Sequence, residues 1–167
     1  MTVSPSWYAV RTRSRHEQVV ATQLAQKGYD TYLPVIPRWS RWKDRRKKID
    51  WPLFPGYCFA RFDPHDSLPI LKCAGVVNIV AFDGRIAPVP AHEIDGIRRL
   101  LDSELRFDPC PLIREGMTVE VVRGPLKGIS GLLVRKGTQA RLVLSVELIG
   151  QAVSVEVHAA DVEALSS

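Results

Sequence analysis

Beyond residue 113 the chain loses helical periodicity and breaks into four strand-sized runs rich in β-branched residues, at 117–122, 129–135, 140–146 and 153–158. Gly124-Pro125, Lys136-Gly137 and Ile149-Gly150 separate them. Short strands at that spacing, with glycine-bearing turns between them, are the pattern of a small β-barrel. A barrel of about 55 residues has no room for a deep catalytic pocket, but its loops can present a docking surface.

Just upstream, residues 102–113 carry Pro109 and Pro111 in a polar stretch that fits neither period. The sequence therefore predicts a first domain over 1–103, a linker over 104–113 and the barrel domain over 114–167. The first domain has a different texture. Trp7-Tyr8-Ala9-Val10-Arg11-Thr12 reads as a strand. Ser14 and Glu17 have the spacing of a capping box, and Gly28 supplies a stop, which predicts a helix over 15–27 with Val20, Leu24 and Val19 on its apolar stripe. Strands follow at 29–36 and 52–62, a short helix at 67–73, a strand at 76–82 and a helix at 90–101 with Ile94, Ile97, Leu100 and Leu101 inward. The fold class is α+β: an antiparallel sheet with flanking helices, then a linker and a small barrel.

Charge is spread unevenly between the two parts. The net charge is +5, yet residues 111–167 hold six basic and six acidic residues. Between Arg38 and Lys48 stand seven basic residues, Arg38, Arg41, Lys43, Arg45, Arg46, Lys47 and Lys48, against the single acid Asp44. Trp39 and Trp42 interleave with them and Trp51 closes the segment, so faces that stack on bases accompany charges that meet phosphates. If the strands at 29–36 and 52–62 pair antiparallel, this segment is the tip of a long hairpin projecting from the sheet. Nucleic-acid contact is the expected use.

At 167 residues, 46% hydrophobic and 25% charged, the chain has the composition of a globular protein, which excludes collagen-like and mostly disordered classes. It lacks 18 consecutive apolar residues, and Met1 to Ser6 lack the build of a secretory signal. The expected address is the cytoplasm, with no membrane contact. Cys58, Cys73 and Cys110 form an odd set without CxxC spacing, against a disulfide framework or a zinc site. His16, His65, His92 and His158 stand singly, and GxSxG, HExxH and P-loop orders are absent. No enzyme, metal or cofactor is expected.

Two ordered motifs carry a resemblance. The opening strand followed by a helix and then Pro52-Leu53-Phe54-Pro55-Gly56-Tyr57 resembles the N-terminal domain of NusG-type transcription elongation factors. Val122-Arg123-Gly124-Pro125-Leu126-Lys127-Gly128-Ile129-Ser130-Gly131 is similar to the KOW motif that follows in that family. The resemblance implies a non-enzymatic factor that rides on RNA polymerase, holding the clamp against the opposite side of the main channel so that elongation pauses less. It implies an apolar groove for the clamp helices of the largest subunit, here Ala9, Phe54, Tyr57, Phe59, Phe82 and Ile97. The basic hairpin corresponds to the family's segment near DNA at the transcription bubble, with Arg11, Arg13 and Arg15 extending its field. In the family the KOW domain recruits the termination factor Rho or the ribosomal protein NusE, and its docking surface here falls at Leu126, Leu148 and Ile149.

The wording Pro-Leu-Phe-Pro-Gly-Tyr and the Phe62-Asp63-Pro64 that follows look more like the specialised RfaH and UpxY paralogues than housekeeping members. The His-Thr-Thr element of RfaH has no counterpart in Ser67-Leu68-Pro69-Ile70. RfaH-like proteins can fold the C-terminal domain as a helical hairpin. Here Val119, Val121, Val122, Val134, Val143, Val146, Val153, Val155 and Val157 favour strands, and Gly124, Gly128, Gly131 and Gly137 would interrupt helices. The alternative reading is a KOW-bearing RNA-binding or ribosome-associated module. The charge map counts against it, because the KOW region is neutral and the basic surface lies elsewhere. A monomer is expected, since each apolar stripe has an internal or polymerase partner.

Overall fold

The structure, a computed structural model, describes residues 5–42 and 45–165, with 38–42 and 45–47 in backbone only. It is α+β and divides into two compact units, Met1–Val89 and Pro90–Ser167. In the first unit, β1 (Ser6–Thr12), β2 (Asp30–Tyr32), β5 (Tyr57–Phe62) and β6 (Val76–Ile79) form an antiparallel sheet in the order β2-β5-β1-β6. The intervening α1 (Glu17–Gln26) packs on β5. Between β2 and β5 the chain runs out and back as a separate two-stranded ribbon, β3 (Val35–Trp42) and β4 (Arg45–Pro52). A single turn of 3-10 helix leads into α2 (Ser67–Leu71), and β7 (Ala81–Phe82) pairs with β8 (Arg85–Ile86) across the Asp83-Gly84 turn.

Period-two alternation sorts the residues of β1 and β5 onto two faces. Tyr8, Val10, Cys58, Ala60 and Phe62 join Val20, Ala21 and Leu24 of α1 in one buried cluster. Tyr8 and Phe62 stack with ring centroids 4.6 Å apart, and burial of each such side chain stabilises the unit by about 1.5–3 kcal/mol.

The start of α1 differs from expectation. Arg15 adopts φ 65°, His16 occupies the N-cap position without a side-chain cap hydrogen bond, and the helix begins at Glu17. The turn closed by His16 N–H donating to Arg13 C=O takes up the residues a Ser14 cap would have needed. Val19, about 100° round the helix from buried Val20, faces outward, 48% exposed. Gln23 ties α1 to the loop after α2, its amide donating to Ala74 C=O (2.9 Å) and accepting from Ala74 N–H (3.2 Å).

The second unit begins with α3 (Ala91–Asp102), which buries Ile94, Ile97 and Leu100 and leaves Leu101 half-buried. Six strands form one antiparallel sheet in the order β14-β10-β11-β12-β13-β9. They are β9 (Phe107–Pro111), β10 (Met117–Val121), β11 (Ser130–Lys136), β12 (Gln139–Val146), β13 (Gln151–Val157) and β14 (Val162–Ala164). Its core is branched aliphatic: Val119, Val121, Leu142, Val143, Leu144, Val146, Val153 and Val155 are buried.

Strand β9 lies within the segment predicted as linker, and α3 belongs to the second unit. Pro109 and Pro111 conceal β9 in the sequence, yet an edge strand tolerates proline because its outer N–H groups need no partner. Arg141 fastens it, donating to Ser154 Oγ of β13 (3.0 Å) and Asp108 Oδ2 of β9 (2.9 Å). Gly131 is required where β11 crosses β12, since a Cβ there would lie 2.5 Å from Val143 O.

Candidate functional site

Three of the six residues expected in an apolar groove meet on the sheet face opposite the α1 cluster. Ala9 of β1 pairs in register with Phe59 of β5. Phe54, from the turn between β4 and β5, meets Phe59 edge-on, centroids 6.2 Å apart and planes at 90°. All three are buried. Tyr57 is half-buried at the end of β5, across from Arg11. Phe82 stands apart on the β7–β8 hairpin, 75% exposed. Ile97 is buried in α3 of the second unit. Tyr57 and Phe82 are thus the members of the set whose rings reach the surface.

Arg11, Arg13 and Arg15 are all exposed around the turn between β1 and α1. Arg11 and Tyr57, with Thr12, Ser14, Glu17, Pro55 and Gly56, line a cavity of about 310 Å³. In the ribbon, backbone register sets Arg41 opposite Arg46, Trp42 opposite Arg45 and Trp39 opposite Lys48. Lys48 is exposed. Lys43 lies outside the described residues, as do the side chains of Arg38, Trp39, Arg41, Trp42, Arg45, Arg46 and Lys47.

In the second unit Leu148 and Ile149 are half-buried neighbours on a single 3-10 turn that Gly150 ends at φ 66°. Leu126 is buried and is not brought to the surface beside them. Among the described residues no group of three or more His, Cys, Asp or Glu is placed to hold a metal ion. Burial pushes the Cys58 thiol up to about 12, which keeps it a protonated, inert core residue. Cys110 is half-buried in β9 rather than a core residue. No helix among the described residues is long and apolar enough to cross a membrane.

Glu93 carries no distinguishing mark in the sequence. In the sequence it is an ordinary first-turn acid after Pro90, but in the structure its Oε1 is buried without a hydrogen-bond partner. Nothing in the helical period separates it from a solvated glutamate, because the feature that distinguishes it arrives from β12 and the turn after it.

Residues 5–98 match the NusG family, described as transcription termination factor nusG. Comparison with curated proteins finds no match. Among solved structures, one of Thermotoga maritima NusG, concerned with its domain interaction, is similar over 97% of this chain and 98% of that one, at 20% identity and a TM-score of 0.53. Two structures of the MjSpt4:Spt5 complex align over 96% of this chain. Conformation B covers 97% of its own chain at 19% identity and conformation A covers 99% at 20%, each with a TM-score of 0.30.

Proposed function

On the premise that this chain belongs to the NusG family of transcription factors, we propose that it is a non-enzymatic elongation and antitermination factor of the cytoplasm. It binds the clamp helices of RNA polymerase and increases processivity. The observation that carries the reading is the family match over 5–98, a span that includes every residue expected to meet polymerase or DNA. Tyr57 and Phe82 supply aromatic anchors of the kind that dominate interfaces, and the face of Ala9, Phe54 and Phe59 supplies the apolar ground behind Tyr57. The ribbon β3–β4, with Arg11, Arg13 and Arg15, holds DNA near the bubble through salt-sensitive phosphate contacts that add affinity rather than sequence preference.

In this reading the second unit recruits a further protein, Rho or NusE, through the turn at Leu148 and Ile149. The chain acts as a monomer and as a specialised paralogue of the RfaH or UpxY type. The neutral charge of residues 111–167 supports a protein partner there over RNA.

Binding of the purified chain to core RNA polymerase tests the proposal. Wild type is expected to bind at micromolar affinity or tighter, and Tyr57→Ala combined with Phe82→Ala to lose at least tenfold while remaining folded. RNA binding without polymerase binding would transfer the assignment to the KOW-module alternative.

A further inference from the structure

Helix α3 is seated on the six-stranded sheet of its own unit, in ordinary packing contact around Gly96. A Cβ there would lie 3.7 Å from Ile129 Cγ2 and 3.9 Å from Leu144 Cδ1. A polar contact marks each end of the seat. Toward the C-terminus of α3, Arg99 Nη2 donates to the carbonyls of Pro125 (2.8 Å) and Lys127 (3.1 Å). Toward the N-terminus, the Glu93 carboxyl faces the backbone N–H of Glu147. It does so in the wall of a cavity of about 370 Å³ that also takes in Leu132, Val143 and Leu144.

The two contacts are unequal. Arg99 has both of its carbonyl acceptors at hydrogen-bond distance. Glu93 Oε1 is out of water and has no donor, a position that is costly for an ionised carboxylate and tolerable for a neutral acid. The charged and titratable groups around it do not relieve this. The Glu147 carboxylate adds a like charge, Arg114 lies 3.6 Å from that carboxylate in an exposed pair, and His92 lines the same cavity.

We propose that Glu93 is a proton-operated fastener of α3, holding the helix on the sheet when its carboxyl is neutral and loosening it when ionised. Burial pushes the Glu93 carboxyl up to about 7 from an ordinary 4.5, with the Glu147 carboxylate acting in the same direction and the Glu147 N–H against it. The seated helix therefore binds the proton more tightly than the free helix. The seat is firmest at and below the ordinary value, weakens as pH rises toward 7, and is level above it. Because α3 carries Ile97, loosening would also bear on polymerase contact. That consequence rests on the proposed function, whereas the fastener does not.

Hydrogen exchange of the full chain, corrected for intrinsic rates, reads the seat itself and so separates the two ideas. Protection over residues 91–102 is expected to fall about fortyfold between pH 5 and 7. It is expected to stay level in Glu93→Gln, which keeps the shape without the charge, and to follow wild type in His92→Gln. A level wild-type profile, a parallel fall in Glu93→Gln, or loss of the fall in His92→Gln overturns the proposal. If Glu93→Gln fails to fold, the carbon-13 shift of the wild-type Glu93 carboxyl decides. A midpoint near 7 upholds the fastener, and a midpoint at the ordinary carboxylate value overturns it.

Discussion

In the first unit a four-stranded sheet covered by α1 packs Tyr8 and Phe62 among aliphatic and small residues, while in the second a six-stranded sheet is filled by valine and leucine and finished by the short strands β9 and β14. The first carries the excess positive charge and the exposed aromatic rings. The second is neutral over residues 111–167 and offers a turn of Leu148 and Ile149. The two units therefore need not unfold as one cooperative block or share one partner.

The largest expected effect that tests this separation is Phe62→Ala. Phe62 is buried between Tyr8 and Tyr29, and its truncation is expected to cost about 3–5 kcal/mol. All four tryptophans, Trp7, Trp39, Trp42 and Trp51, lie in the first unit, so their fluorescence in a urea titration reports that unit alone. An equal shift of the second unit's transition, followed by backbone NMR, would make the molecule one cooperative block.

In the second unit Gly131→Ala is expected to cost about 1–3 kcal/mol through overpacking, seen as a lowered midpoint for the β11 and β12 amides. Arg141→Ala is expected to cost about 1 kcal/mol and to raise exchange in β9. Asp108→Ala, at the exposed end of the same pair, should cost less than about 1 kcal/mol. The smallest effect on folding is expected from Lys47→Ser with Lys48→Ser. Stability should be unchanged, while the slope of log affinity for duplex DNA against log salt shrinks by about 2. An unchanged slope would remove the ribbon from the DNA-contacting surface.

Much of this architecture is legible from local chemistry. Alternation in Tyr57 to Phe62 predicts two apolar faces because a central strand is covered on both. The long hairpin follows from two strands flanking a polar, basic insert. What local chemistry hides is set by distant partners. Strand β9 depends on pairing with β13 and on Arg141, some thirty residues further along the chain. The α1 start depends on a left-handed Arg15 that no propensity predicts.

The candidate site divides in the same way. Ala9 and Phe59 are brought together by the β1–β5 register, which alternation anticipates, whereas the burial of Leu126 and the unpartnered oxygen of Glu93 arise from tertiary packing.

Single-round transcription on a long template with purified RNA polymerase tests whether the chain is a polymerase-riding elongation factor. Shorter pauses and more full-length transcript are expected when the chain is added, with loss of that gain in Tyr57→Ala combined with Phe82→Ala. Unchanged elongation in the presence of the folded wild-type chain, with the protein recovered on RNA and not on polymerase, would contradict that assignment.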